Sequence, residues 1–213
     1  MRDQKRGGGV IVIVDYGMGN LRSVQKAFEK NGARPKVSSL AKDIEKADKI
    51  VLPGVGAFTA AVRELEKRKL LSIIKEKIES GAPYLGLCLG LQLLFDESEE
   101  SIGKAKVKGL GILEGRVRRF RGNMKIPHMG WNTINIKKKN CPILKGIGPK
   151  DYFYFVHSYY GVPQDSSWNL STTRYGVDFC SSVWKDNVFA MQFHPEKSQR
   201  SGLRIIKNFI GLS

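Results

Sequence analysis

The sequence predicts one α/β domain: a mostly parallel central sheet flanked by helices, a nucleophile elbow, and additional antiparallel strands in the C-terminal half. Three observations predict it. In the first half, short apolar runs alternate with segments of helical periodicity, the pattern of parallel strands joined by right-handed crossovers. The second half is dense in strand-favouring segments separated by turns, with little helical periodicity before its end. Between them, Gly86-Leu87-Cys88-Leu89-Gly90 joins an apolar run to a helix start through a turn of small residues that carries a cysteine.

Residues 1–9 (MRDQKRGGG) are polar and glycine-rich and predict a flexible arm, which leaves 10–213 as the domain. Val10 to Val14 is a compact buried strand followed by a glycine-broken turn. Leu21, Val24 and Phe28 recur at helical spacing, with Asn31-Gly32 as the stop signal. Lys49 to Leu52 reads as a second strand that ends at Pro53-Gly54. Leu65, Leu70, Ile74 and Ile78 mark helical material closed by Gly81 and Pro83. Tyr84 to Leu87 is a third strand, and Leu89 to Phe95 begins a third helix. Val117 to Phe120, Ile134 to Ile136, Tyr152 to Val156, Leu170 to Arg174 and Val188 to Phe193 favour strand. Leu203, Ile206 and Ile210 return to helix. There is no internal repeat, and no linker long enough to divide the chain.

With 213 residues, 41% hydrophobic and 26% charged, the composition is that of a folded chain with a substantial core. The early apolar run is too short for a membrane span or a signal-peptide core, so no membrane role is expected. Cys88, Cys141 and Cys180 are an odd set without metal-like spacing. They predict no metal site and no disulfide framework, and suit a reducing cytoplasm. The net charge is +16, and most of the excess sits between Lys104 and Lys150, where 13 basic residues meet one acidic residue, Glu114. Such a stretch can be a solvated surface, a docking face for an acidic protein, or a nucleic-acid footprint. No nucleic-acid-binding signature accompanies it. Solvent-facing strands and loops are therefore the expectation, with a minor share of the charge steering an acidic partner.

The elbow supplies the first chemical expectation. Flanking glycines let the backbone turn and substrate approach, and a helix starting after Cys88 favours thiolate over thiol. A thiol still wants a base. Of His128, His157 and His194, only His194 has a carboxylate, Glu196, two residues away, past an apolar strand. Residues two apart in extended chain point the same way, so Glu196 can hold one ring nitrogen and leave the other for Cys88. His128 and His157 read as satisfied structural residues. The oxyanion of an acyl-transfer reaction would rest on the Leu89 N–H and on the loop Pro53-Gly54-Val55-Gly56. A dinucleotide fingerprint fails in Asp15 to Asn20, because its third glycine would fall at Arg22. No nicotinamide or flavin cofactor is expected.

In this order and spacing, PGVG, GLCLGLQ and HPEK resemble the oxyanion loop, nucleophile elbow and His-Glu pair of class I glutamine amidotransferases, and the likeness runs from Val10 onward. Within that family, DYGMGNL (Asp15 to Leu21), PHMGWN (Pro127 to Asn132) and YFVHSY (Tyr154 to Tyr159) resemble the glutaminase subunits of imidazole glycerol phosphate synthases, in histidine biosynthesis. The resemblance implies Cys88 as nucleophile, His194 as base and Glu196 as its orienter, with Val55 and Leu89 at the oxyanion. It implies that L-glutamine is held by Gly54, Gly56, Gln92 and the main chain of His157, Ser158 and Tyr159. It also implies a heterodimer in which ammonia tunnels to a separate cyclase subunit, since the length leaves no room for a fused cyclase barrel. Met18, Gly19, Asn20, Trp131, Tyr154 and Lys197 would lie at or near that interface, and glutaminase activity would stay low until the cyclase binds its nucleotide ligand. An amidotransferase subunit of another synthase, such as anthranilate synthase, would share the chemistry, but HMGW and DYGMGN argue against it. A basic nucleic-acid-binding protein on a degenerate scaffold is opposed by intact Cys88, His194 and Glu196. A cysteine hydrolase of the same architecture is the third alternative.

Overall fold

The computed structural model describes residues 9–100 and 107–212. The expected arm, apart from Gly9, and positions 104–106 of the basic stretch lie outside the described residues. In chain order the first half holds β1 (Ile11–Val14), α1 (Leu21–Lys30), β2 (Lys36–Ser38), α2 (Ala41–Glu45), β3 (Lys49–Gly54), α3 (Phe58–Lys67), α4 (Leu71–Glu79), β4 (Tyr84–Cys88), α5 (Leu89–Gln92) and β5 (Phe95–Ser98). The second half holds β6 (Leu113–Arg119), β7 (His128–Thr133), β8 (Asn135–Ile136), β9 (Tyr152–His157), β10 (Tyr159–Pro163), β11 (Asn169–Tyr175), β12 (Val177–Lys185), β13 (Val188–Met191) and α6 (Gln199–Ile210).

The main sheet has the order β2-β1-β3-β4-β13-β12-β11-β8. Its first five strands run parallel, and the remaining pairings are antiparallel. The expected architecture is therefore the observed one. Strands β1, β3, β4 and β13 are buried along their whole length, as parallel strands covered on both faces must be. Successive residues feed opposite cores. Val12, Val14, Ile50 and Leu52 pack with Phe58, Leu65 and Ile74, whereas Ile11, Ile13, Val51 and Leu87 pack with Phe28, Phe153 and Phe209. Each such side chain contributes about 1.5–3 kcal/mol by leaving water. Two smaller sheets, β10-β6-β5 and β7-β9, complete the fold.

Register is what positions the chemistry. Pairing of β3 with β4 sets Gly54 beside Cys88, and pairing of β13 with β4 sets Met191 beside Leu87. Three segments far apart in sequence thus finish at one edge: the PGVG loop, the elbow, and the chain that continues to His194.

Two expected elements differ. The helical material from Leu65 to Ile78 is two helices, α3 and α4, separated at Lys69, which has φ 57. The expected helix from Leu89 to Phe95 stops at Gln92, and Phe95 opens β5 instead. The main chain beyond Gln92 bonds elsewhere: Leu93 O accepts from Leu110 N, and Leu94 O from Ile112 N and Leu113 N. A run buried on every side satisfies either secondary structure, so distant backbone partners decide. Lys49 is a buried cation whose Nζ donates to the carbonyls of Ile210, at 2.7 Å, and Leu212, tying the end of α6 to β3. In the basic stretch, no Lys or Arg from Lys108 to Lys150 is buried, in line with a solvated surface.

Candidate active site

Cys88 ends β4 and adopts φ 53, ψ −100, a conformation that side-chain-bearing residues rarely hold. The turn is fixed by close packing on both sides. A Cβ on Gly90 would collide with the Leu52 carbonyl, and one on Gly86 would sit 2.6 Å from the Gly90 carbonyl. The elbow expected from the glycine spacing is the observed turn. Leu89 follows as the first residue of α5, where a helix leaves its N–H without an intrahelical partner.

His194 lies three residues beyond β13 and is 2% exposed. Its Nδ1 is 2.8 Å from Glu196 Oε1, and both side chains are buried. The contact was expected from an extended chain, but Pro195–Lys197 forms a 3-10 turn, and it is across this turn that the carboxylate meets Nδ1. His194 N donates to Tyr154 O at 2.9 Å, and Ser198 Oγ donates to His194 O at 2.6 Å, so the backbone of His194 is clamped. Nε2 makes no well-formed hydrogen bond among the described residues. Burial opposes a charge on this ring, but the Cys88 thiolate and the Glu196 carboxylate outweigh it and push the imidazole up to about 10.

A cleft of 580 Å³ opens over the thiol. Its lining includes Val55, Gly56, Cys88, Leu89 and Gln92, together with His157, Ser158 and Tyr159 across it. Eight residues expected at the site are thus gathered around one cavity. Gly54 is not on its wall: it lies beneath, where a Cβ would collide with the Tyr16 hydroxyl and crowd Leu89. Gln92 is 5% exposed, and its Nε2 donates to Tyr159 O at 3.1 Å and to Gln192 Oε1 at 3.2 Å. The first of these bonds fixes the strand facing the elbow. Three larger clefts, of 890, 840 and 640 Å³, contain neither cysteine nor histidine in their walls. Among the described residues no group of three or more His, Cys, Asp or Glu side chains converges to hold a metal.

The residues expected at a partner interface fall in two places. Trp131 and Tyr154 are paired across β7 and β9 with ring centroids 5.9 Å apart, and Lys197 Nζ stands 6.0 Å over the Tyr154 ring. Trp131 is 47% exposed and the adjacent Met129 is 61% exposed, large apolar groups left facing water. Met18 and Gly19 lie instead against the PGVG loop, at Gly56 and Gly54 respectively. Asn20 caps α1 by accepting from Ser23 N at 3.2 Å, a structural task that neither requires nor excludes a partner.

Three residues of the site had not been singled out. Glu100 lines the cleft while its Oε2 accepts from Phe58 N at 2.7 Å, capping α3. Tyr16 is fully buried, its hydroxyl has no hydrogen-bond partner among the described residues, and burial together with the charge of Cys88 suppresses its ionisation. Gln192 points its Nε2 at Cys88 Sγ from 3.5 Å. The acidic run Asp96 to Glu100 in a basic chain was a usable signal for the first. Nothing local in the sequence marks the other two.

The family model for glutamine amidotransferase class-I matches residues 12–212. The imidazole glycerol phosphate synthase subunit HisH of Syntrophotalea carbinolica is 53% identical over 207 residues, covering 94% of this chain and 98% of that protein. The subunit of the same name from Aquifex aeolicus is 51% identical over 199 residues, covering 93% and 94%. Among solved structures, PurLQS from Thermotoga maritima aligns with a TM-score of 0.72 at 20% identity, over 95% of this chain and 97% of that one. A crystal structure of a glutamine amidotransferase aligns at 0.70 and 22% identity, over 94% and 99%. At those identities the structural likeness concerns the fold.

Proposed function

The chain belongs to the class-I glutamine amidotransferase family, and we propose that it works as a glutaminase which supplies ammonia for imidazole glycerol phosphate synthesis in histidine biosynthesis. The observation that carries this reading is the approach of His194, its ring held by Glu196, to Cys88, which lines the cleft. Relatives about half identical over nearly their whole length carry the name of that synthase subunit.

The chemistry follows from the groups present. Cys88 thiolate attacks the side-chain amide carbon of glutamine, forming the S–C bond and moving a pair onto the amide oxygen. Main-chain N–H groups of Leu89 and Val55 receive that oxyanion. Imidazolium His194 gives its proton to the departing nitrogen, the C–N bond breaks, and ammonia leaves a thioester. The same ring then takes a proton from water, which hydrolyses the thioester to glutamate. Glu196 keeps the ring oriented and offsets its charge throughout. Gln92 and the main chain of His157 to Tyr159 line the space for the substrate, and Gln92 Oε1 remains available to it once Nε2 is committed.

A subunit that generates ammonia needs a consumer, and the relatives' names imply a second subunit. The exposed Trp131, with Tyr154 and Lys197, supports docking of a cyclase chain on the β7-β9 sheet, and Met18 to Asn20 would lie at the mouth beside the oxyanion loop. Among the described residues no helix is long and apolar enough to cross a membrane. A cytoplasmic site for this reaction is part of the same proposal.

The test mixes the chain with a cyclase subunit and follows product formation from glutamine. Cys88→Ala should abolish the glutamine-dependent reaction and leave turnover with added ammonium salts intact. Loss of both would overturn the division of labour.

A further inference from the structure

A buried hydrogen-bond chain ends on the Cys88 sulfur, and its direction is set by one main-chain atom. A carbonyl oxygen can only accept, so both groups that meet Tyr159 O must donate. His157 Nδ1, 2.7 Å away, therefore carries a proton, and Gln92 turns its NH2 towards that oxygen at 3.1 Å. The other proton of Gln92 Nε2 goes to Gln192 Oε1 at 3.2 Å. Gln192 is thereby held with its oxygen towards Gln92 and its NH2 towards Cys88, 3.5 Å from Sγ. Turning the amide over would face two NH2 groups at each other and an oxygen at the sulfur, leaving a buried donor unpaired at a cost of about 1–3 kcal/mol. The side chain is fully buried, and its own backbone N–H is anchored to Ser181 O at 2.9 Å.

We propose that Gln192 supports the reactive form of Cys88 by donating an N–H bond, in a fixed direction, to the sulfur. The proposal deepens the glutaminase reading by adding a residue to its nucleophile. A thiolate accepts hydrogen bonds far better than a thiol does, so a donor that cannot rotate away favours the anion. The groups of the site that can carry or gain charge come from each packed element. They are His194 with Glu196 behind it beyond β13, Tyr16 beyond β1, His157 at the end of β9, and Glu100 on the cleft wall. Gln192 differs from all of them in having no charge to lose. Its removal therefore changes how Cys88 responds to pH without deleting a titrating group.

The experiment measures the pH dependence of Cys88 alkylation by iodoacetamide in the intact chain, without glutamine, with the labelled cysteine identified by peptide mass mapping. Cys141 and Cys180 are internal controls, because burial pushes these thiols up to about 11 and about 12. Gln192→Met should raise the alkylation midpoint by about one pH unit, roughly tenfold less thiolate at a given lower pH. Gln192→Glu, which still accepts from Gln92 but turns a carboxylate on the sulfur, should raise it further. An unchanged midpoint in Gln192→Met, with the wild-type melting temperature, would overturn the proposal. Should Gln192→Met fail to fold, an unchanged midpoint in Gln192→Glu would overturn it equally. Alkylation requires no glutamine, so these outcomes stand apart from the success or failure of the glutaminase reading.

Discussion

His194 and the pair His128–His157 occupy equally buried places, at 2%, 3% and 6% exposure, and are driven in opposite directions. His128 stacks between Phe155 and Tyr175 at ring distances of 4.8 and 4.0 Å, and its Nδ1 meets His157 Nε2 at 3.1 Å. Burial pushes His128 down to about 4 and His157 down to about 3, and the carbonyl of Tyr159 beside His157 does not reverse it. Burial opposes charge at His194 as well, but a thiolate and a carboxylate stand on its two sides. A buried imidazole thus takes its character from what its two nitrogens meet rather than from its depth. The neutral pair ties β7 to β9 and helps shape the cleft wall, while the charged ring holds the proton that the proposed mechanism uses.

Removing the charged member has the largest expected effect. His194→Ala should lower glutamine hydrolysis by ~10²–10⁴-fold, the usual worth of a general acid–base, and should also lower the melting temperature, because it leaves the buried Glu196 carboxylate without its partner. An active variant would return His194 to the same class as the other two. Next comes Glu196→Gln, which keeps an oxygen for Nδ1 but removes the charge. It should reduce turnover by ~10–10²-fold and move the alkaline limb of the pH–rate profile to lower pH, because the imidazolium loses one of its two supports. An unmoved limb would assign the whole elevation to Cys88. The smallest effect tests the neutral pair. Both rings have folded values below the unfolded ~6.5, so the unfolded chain binds more protons between there and about 4 to 3, and stability falls as pH falls through that window. Melting temperatures at pH 7, 6, 5 and 4 should decline, and His128→Gln should flatten part of the decline. A slope unaltered by that substitution would mean that His128 carries none of it.

Much of this was legible in the chain because it was written locally. The strand-turn-helix around Cys88 needs glycines at 86 and 90, and the two have no room for a Cβ. Four of the five parallel strands, β1, β3, β4 and β13, are short apolar runs, each readable alone, whereas β2 (Lys36–Ser38) is defined by its pairing with β1. What escaped depends on pairing between distant segments. Strand β7 carries Gly130 and Asn132 and shows no alternation; it is a strand because residues 128–133 pair in register with β9. Strands β10 and β12 likewise owe their definition to β6, β11 and β13. At the site, Cys88, His194 and Glu196 could be found by motif, since a glycine-flanked thiol and a His-x-Glu pair stand out. Gln192 and Tyr16 could not, because a buried amide or phenol has no signature until the fold shows what it faces.

The backbone of Cys88 carries a further consequence. At φ 53, ψ −100 a residue with a side chain sits at a cost of order 1–3 kcal/mol, where glycine would be at ease. The chain is therefore held in shape against the residue at its own elbow. Selection for heat resistance alone would reward glycine at position 88, yielding a sturdier molecule that the proposed mechanism makes inert, whereas alanine would lose the thiol and keep the strain. Any effort to harden this fold has to keep glutamine turnover in the screen, or it will discard the residue that the rest of the structure is arranged to present.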